Sequence, residues 1–323
     1  MTGRELTKLA IQRKNPPRYP VYHFNKNIDK SDIINAEYGA AADFTAAVQG
    51  QTEWGYRWIT HDQTMGQPVD RPIKEYEDLE RYRFPDPMGS GRLDCLQQMQ
   101  REHEDKFIMA GLGISGFNQV TFIRGFEDSL EDLYLQPEKL MELTDRVMSF
   151  ESAMIRRFGE CRADAVSFFD DWGSQNALLI SPALWRQYFK PRYKKQFDLV
   201  HELGMLVYFH SCGYIKVIIP DLIEIGVDIL NLNQPDIFGV KELGREFGGR
   251  VCFNCPVDHQ TLAVSGTHEQ VDDYIRRMKE SFGQNGGGFI GHIEYYASIG
   301  MTDTQYDYIE NSLHRQRKYG GES

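Results

Sequence analysis

From Ala165 onward, short apolar runs of strand length alternate with amphipathic stretches of helix length. The runs occupy residues 165–169, 205–209, 227–232, 250–253 and 287–290. Runs so short and so largely apolar suit strands buried on both faces. Between them, 137–157 sets Leu140, Leu143, Val147, Phe150 and Met154 on one helical face. Ser181 followed by Pro182 supplies an N-cap and a first-turn proline for another helix, and 220–225 and 269–282 supply later crossovers. In the first half, 19–24 and 107–112 are the strand candidates. Repeated strand–helix units imply a parallel sheet with helices outside it. About eight such units fit a chain of this length as a (β/α)8 TIM barrel better than as an open sheet. The expected fold is therefore α/β, a single barrel domain over 1–323 with an N-terminal extension. The irregular segment 49–72 is expected to form a lid or insertion. Gly111-x-Gly113-x-x-Gly116 has the spacing of a dinucleotide-binding turn. It lacks the acidic residue about 20 positions later at a second strand end, and it reads as a loop.

One of these runs ends in chemistry. Val207-Tyr208-Phe209-His210-Ser211-Cys212-Gly213 reads as a buried strand closing in a His-x-Cys pair. Side chains two apart share a strand face, so His210 and Cys212 can project together as ligands for one soft metal, most naturally Zn²⁺. The plain alternative is a buried His and a buried Cys that happen to be neighbours, because a two-ligand motif is weakly specific. Other polar residues follow the other strands: Asp170 and Asp171; Asn231, Asn233 and Gln234; Cys255 and Asp258; His292 and Glu294. In a barrel all of these lie at the carboxyl-terminal rim, where active sites of this fold are built.

The third metal ligand is left among several residues. Cys252 and Cys255 face opposite sides of their strand, and the reading places Cys255 at the strand exit and Cys252 in packing. His292 and Glu294 are the alternatives to Cys255. Asp171 is expected to bind the metal, or to orient substrate as a catalytic carboxylate. Asp170 then leaves the other face of the strand as an N-cap or a solvent-facing acid. Glu53, Trp54, Trp172 and Asn233 are expected to contact substrate. His61, His103, His201 and His268 sit among polar neighbours and are expected at the surface.

Composition narrows the setting. A net charge of −11, from 47 acidic and 36 basic residues, argues against nucleic acid or an anionic membrane as partner. No apolar run approaches the roughly 20 residues of a membrane span, and the first residues, MTGRELTKLAIQRKNPPRYP, have no signal-peptide core. Five cysteines, an odd number, do not read as a disulfide framework. A reducing, cytoplasmic location is expected, with thiolates free for metal.

Phe169-Asp170-Asp171-Trp172-Gly173, Ser181-Pro182, His210-Ser211-Cys212-Gly213 and the run from Ile219-Pro220-Asp221 to Ile229-Leu230-Asn231 stand in one order. Pro256-Val257-Asp258, Gly266-Thr267 and Gly286-Gly287-Gly288-Phe289-Ile290 follow. Together they resemble the uroporphyrinogen decarboxylase superfamily, from about Asp164 to the C-terminus and more weakly near 15–21. The resemblance implies a (β/α)8 barrel and one of two activities: decarboxylation of uroporphyrinogen, or zinc-dependent methyl exchange with a corrinoid. Decarboxylases of the family carry an arginine-rich Met-Arg-Gln-Ala-Gly-Arg signature that meets the substrate's many carboxylates. The comparable stretch here, Arg18-Tyr19-Pro20-Val21-Tyr22-His23-Phe24-Asn25, has one arginine, too little for such a polyanion. His-x-Cys-Gly resembles the methyltransferase branch, in which His and Cys ligate zinc and a later Cys completes the set. At that later position this chain has Gly291-His292-Ile293-Glu294, and no Cys follows Cys255. The resemblance thus implies a zinc methyltransferase. It has no Asp-x-His-x-x-Gly corrinoid motif, so the methylcorrinoid (cobalamin) would come from a partner protein. A metal-independent decarboxylase or lyase using Asp171, and a catalytically inactive binding barrel, are the rival readings. A homodimer is compatible with either.

Overall fold

The computed structural model describes residues 1–60 and 66–316. Eight strands close a barrel: β1 (Val21–His23), β2 (Ile33–Glu37), β3 (Phe107–Ile114), β4 (Ala165–Phe169), β5 (Leu206–His210), β6 (Ile229–Asn231), β7 (Cys252–Pro256) and β8 (Phe289–Ile293). Each pairs in parallel with its neighbours in chain order, and β8 closes back on β1. Helices separate most consecutive strands, so the fold is the expected (β/α)8 TIM barrel. The runs are largely apolar because both strand faces are buried. Inward-facing Tyr22, Met109, Ala165, Tyr208, Ile229 and Cys252 fill the interior, with Ile11 of helix Gly3–Ile11 packed among them. Outward-facing Val166, Phe168, Val207, Phe209, Leu230 and Phe253 meet the helices. On helix Pro137–Glu160 the stripe Leu140, Leu143, Val147, Phe150 and Met154 is buried as the spacing predicts, and Ser181 caps Leu184 N–H at 3.2 Å.

Three features differ from the sequence reading. β2 carries Asn35 and Glu37, so it does not stand out as an apolar run. Inside the barrel Asn35 Oδ1 accepts a 2.7 Å hydrogen bond from Ser167 Oγ, which makes that polar residue at home there. Gly111 and Gly113 lie within β3, and Gly116 opens helix Gly116–Arg124, so the glycine motif is a strand end and helix start and not a loop. The reason at Gly116 is close approach: a Cβ there would stand 2.1 Å from Asp170 Oδ2. β7 runs on to Pro256, and this changes where Cys255 points.

The long β2–β3 connection includes an antiparallel hairpin, Arg57–Ile59 with Gln67–Val69, within the 49–72 segment expected as a lid. Residues 61–65 of that segment, His61 among them, lie outside the described residues. His201 and His268 are exposed and His103 is half-buried. Among the described residues, no helix is long and apolar enough to cross a membrane.

Candidate metal centre and substrate cavity

β4 and β5 pair with Phe169 opposite His210, and beyond that register their loops run on together. Asp170 N–H donates to His210 O (3.1 Å), Trp172 N–H to Ser211 Oγ (2.9 Å) and Gly173 N–H to Cys212 O (3.2 Å). Cys212 N–H in turn donates to Asp171 Oδ1 at 2.6 Å. This lacing brings three potential ligands to one point. His210 Nε2 lies 3.4 Å from Cys212 Sγ and 3.4 Å from Asp171 Oδ1, and the three ligand atoms lie within 4.8 Å of one another. A tetrahedral zinc with bonds of about 2.0–2.3 Å separates its ligand atoms by roughly 3.3–3.8 Å. The residues therefore fit a zinc ion with a position left open.

The His210 ring is held in place. Its Nδ1–H donates to Asn231 Oδ1 at 2.5 Å, which turns Nε2 toward the cavity. Asn231 is oriented in turn, because its Nδ2 donates to Asn254 O (2.6 Å) and Asn254 Oδ1 (3.1 Å). Asn254 Oδ1 also accepts from Tyr208 OH (2.9 Å) and from His292 Nδ1–H (3.0 Å). One polar belt thus crosses β5 to β8 and presents two imidazoles alike, each with Nδ1 engaged and Nε2 free of it. Among the described residues buried His292 Nε2 has no hydrogen-bond partner, and it stands 3.5 Å from Glu294 Oε2.

Charge follows this geometry. Burial works against ionisation of Asp171, but the His210 ring and the Cys212 N–H hold its carboxyl below the ordinary value. Burial would lower the His210 imidazole, yet Cys212 and Asp171 beside it raise its pKa well above normal, so a metal ion binding at Nε2 would displace a proton. Glu294 is likewise held low against burial by His292 and Tyr296.

These groups line one cleft of about 700 Å³, counted to its open mouth. His210, Cys212, Asp171, His292, Glu294 and Asn233 all reach it, and buried Asn233 Oδ1 lacks a partner among the described residues. Phe24, Ile114 and Phe169 form its apolar wall, and Asn118 stands beside them. The sequence reading passed over these four, although Phe24, Ile114 and Phe169 sit at strand ends on the rim.

Four expected site residues are placed elsewhere. Cys255 is fully buried in the outer apolar layer and does not line the cleft. β7 does not end before it, and strand alternation puts Cys252 and Asn254 inside and Cys255 outside. The two cysteines do face opposite ways, with the phase inverted. Burial pushes the Cys255 thiol far up, which keeps it protonated and a poor ligand. Trp172 also faces away from the cleft: it is fully buried, stacked on Phe117 at 5.0 Å, and donates Nε1–H to Tyr193 OH at 3.0 Å. Glu53 and Trp54 line a neighbouring pocket.

Asp170 leaves the opposite face of the strand from Asp171, but it caps a neighbouring helix and does not reach solvent. Phe117 N–H and Asn118 N–H donate to it at 2.9 Å each, and Tyr193 OH donates to Oδ2. Burial nevertheless pushes Asp170 up to about 8, with Glu151 adding to the rise. Burial pushes Glu151 itself up to about 7, against donors from Gln196 and Gly116. An unfolded carboxylate loses its proton near pH 4, so from there to about 8 the folded chain holds more protons on this pair. The pair's contribution to stability therefore falls as pH rises through that window. Asp170→Asn is expected to flatten the decline in urea midpoint between pH 5 and 8 and to leave metal content unchanged. An unaltered slope would contradict the assignment.

A closed parallel barrel with titratable side chains gathered at its carboxyl-terminal rim has the architecture of a TIM-barrel enzyme. The model of the family described as uroporphyrinogen decarboxylase (URO-D) matches residues 59–293, and the chain belongs to that family. A uroporphyrinogen decarboxylase from Chlorobaculum tepidum is 21% identical over 244 residues, covering 72% of this chain and 66% of that protein. One from Roseiflexus sp. is 21% identical over 284 residues, covering 82% and 76%. The chain thus spans slightly less than two thirds of the first of these relatives. A methyltransferase from Methanosarcina mazei shares the fold, with a TM-score of 0.74 at 14% identity over 98% of this chain and 99% of that one.

Proposed function

We propose that this chain is a zinc-dependent methyltransferase that moves a methyl group between a small molecule and a corrinoid carried by a partner protein. The observation that carries the reading is the convergence of three ligand atoms, with Cys212 Sγ and Asp171 Oδ1 each 3.4 Å from His210 Nε2 and all three within 4.8 Å of one another. A bound zinc would supply a Lewis acid that lowers the pKa of a substrate thiol or hydroxyl. The chain's own residues do the rest. Asn231 keeps the His210 ring in the tautomer that a ligand needs. Phe24, Ile114 and Phe169 keep water from one wall of the cleft. His292 Nε2, beside Glu294, can hold or give a proton to the departing group.

The Methanosarcina protein that shares the fold is a methyltransferase, which accords with this reading, whereas the relatives from Chlorobaculum and Roseiflexus are decarboxylases. What weighs against a uroporphyrinogen substrate is charge. Among the described residues the cleft is lined by Asp171 and Glu294 and by no Lys or Arg, so a polycarboxylate would meet repulsion where it needs cations.

Metal analysis of the purified, zinc-supplemented protein tests the reading. About one zinc per chain is expected, falling below about a tenth in His210→Ala and in Cys212→Ser, with the melting temperature recorded in parallel to show that the barrel survives. Zinc-free wild-type protein would overturn the proposal. Methyl transfer to free cob(I)alamin, followed by its absorbance, then identifies the donor.

A further inference from the structure

Ile114, which walls the metal cleft, also walls a second pocket formed by β2, β3 and the β2–β3 connection. Glu37, Tyr38, Phe44, Trp54 and Tyr56 are among its other lining residues. Glu37 ends β2, and its side chain lies across the glycine face of β3. A Cβ at Gly111 would stand 2.7 Å from Glu37 Cγ, and one at Gly113 would stand 3.4 Å from Oε2. Those glycines make the slot that holds this carboxylate at the pocket wall. Among the described residues it has no hydrogen-bond or ion-pair partner. Solvent reaches it through the pocket mouth, while chain crowding its other sides raises its pKa.

The other carboxylate there is already satisfied. Glu53 takes two hydrogen bonds from Arg92, at 2.7 and 2.9 Å, and the Arg92 side chain is fully buried beneath it. That pair cancels, and the Glu37 charge is left over. No Lys or Arg lines either pocket among the described residues. Two of the rings are tied together: Trp54 Nε1–H donates to Tyr38 OH at 3.3 Å, and Tyr82 OH donates to Trp54 O at 2.6 Å. An anion would be repelled here, and a neutral ligand would leave Glu37 unpaired. An alkylated ammonium group satisfies both walls, because it pairs with a carboxylate and is attracted to aromatic faces without a tightly held water shell.

We propose that this pocket binds the cationic ammonium end of the substrate, with Glu37 as counter-ion and Tyr38, Phe44 and Tyr56 as its aromatic wall. The substrate class is then a small amine or quaternary ammonium compound whose other end passes Ile114 to reach Asp171, His210 and Cys212. The proposal rests on the reading that the adjoining cleft is the reaction site, and it is testable apart from it.

The test is calorimetric titration of the whole protein, zinc-loaded and chelated, with choline, its neutral carbon isostere 3,3-dimethyl-1-butanol, and ethanesulfonate. Wild-type protein is expected to bind choline at least about tenfold more tightly than the isostere. Glu37→Gln is expected to abolish that preference without loss of zinc. Absence of choline binding, equal binding of the isostere, preference for the sulfonate, or a preference that survives Glu37→Gln would each overturn the proposal. Zinc retention without a preference for the cation defeats the subsite alone. The preference in a protein that never holds zinc defeats the metal reading alone.

Discussion

Asp171→Asn is expected to weaken zinc binding by at least about 100-fold and to lower methyl transfer by about tenfold or more, in a barrel that still folds. Loss of an outer partner of a metal ligand costs about 10–100-fold in affinity, and Asp171 stands at ligand distance, with Oδ1 3.4 Å from His210 Nε2. Asparagine keeps the oxygen that accepts from Cys212 N–H, so the β4–β5 lacing survives while the charge is removed. The measurement is a competition titration against a chromophoric chelator, with thermal melts as the control for folding. Unchanged zinc affinity with reduced turnover would make Asp171 a substrate-orienting group. Unchanged affinity and turnover would remove it from the site. Asp170→Asn is the matched control, because its carboxylate serves helix Gly116–Arg124 and does not reach the cleft.

What could be read from the sequence follows the periodicities that encode it. Ala165–Phe169 stands out as an apolar run broken only by Ser167, because both of its faces are buried, and its limits coincide with β4. Ile33–Glu37 escaped because Asn35 and Glu37 break the run, each for a reason visible only in three dimensions: Ser167 across the barrel interior and the glycine face of β3. His210 and Cys212 were legible together because two residues on a strand share a face. Asp171 was legible as a cavity-facing acid, but its meeting with Cys212 depends on contacts between two loops, which no single-strand pattern contains. The phase of Cys255 turned on where β7 stops, and Pro256 invited an end that the sheet does not make: β7 includes it, paired with His292 of β8. The polar belt Asn231–Asn254–His292 was the least legible part. Three polar residues from three strands look like ordinary loop polarity until the barrel closes and sets them side by side.

The β4–β5 lacing leads to the last expected result, that Gly213→Ala disables the metal centre from outside it. Gly213 and Gly173 approach back to back, with Gly213 at φ +74°, and a Cβ on Gly213 would stand 2.1 Å from Gly173 O and 2.3 Å from its carbonyl carbon. Both obstacles are backbone, so neither can rotate away. A left-handed conformation costs a residue with a Cβ about 1–2 kcal/mol, and forced overpacking adds about 1–3 kcal/mol. The cheapest escape is to part the two loops. That breaks the Gly173 N–H to Cys212 O bond and pulls the Cys212 N–H from Asp171. Gly204→Ala separates the two costs, because Gly204 has φ +79° with nothing within 4 Å of the added carbon. Urea unfolding should show Gly204→Ala losing only the conformational share, with full zinc content. Gly213→Ala should lose roughly 2–5 kcal/mol and at least about tenfold in zinc affinity. If the two variants behaved alike, the close approach of Gly173 and Gly213 would not be what holds Asp171 and Cys212 at ligand distance.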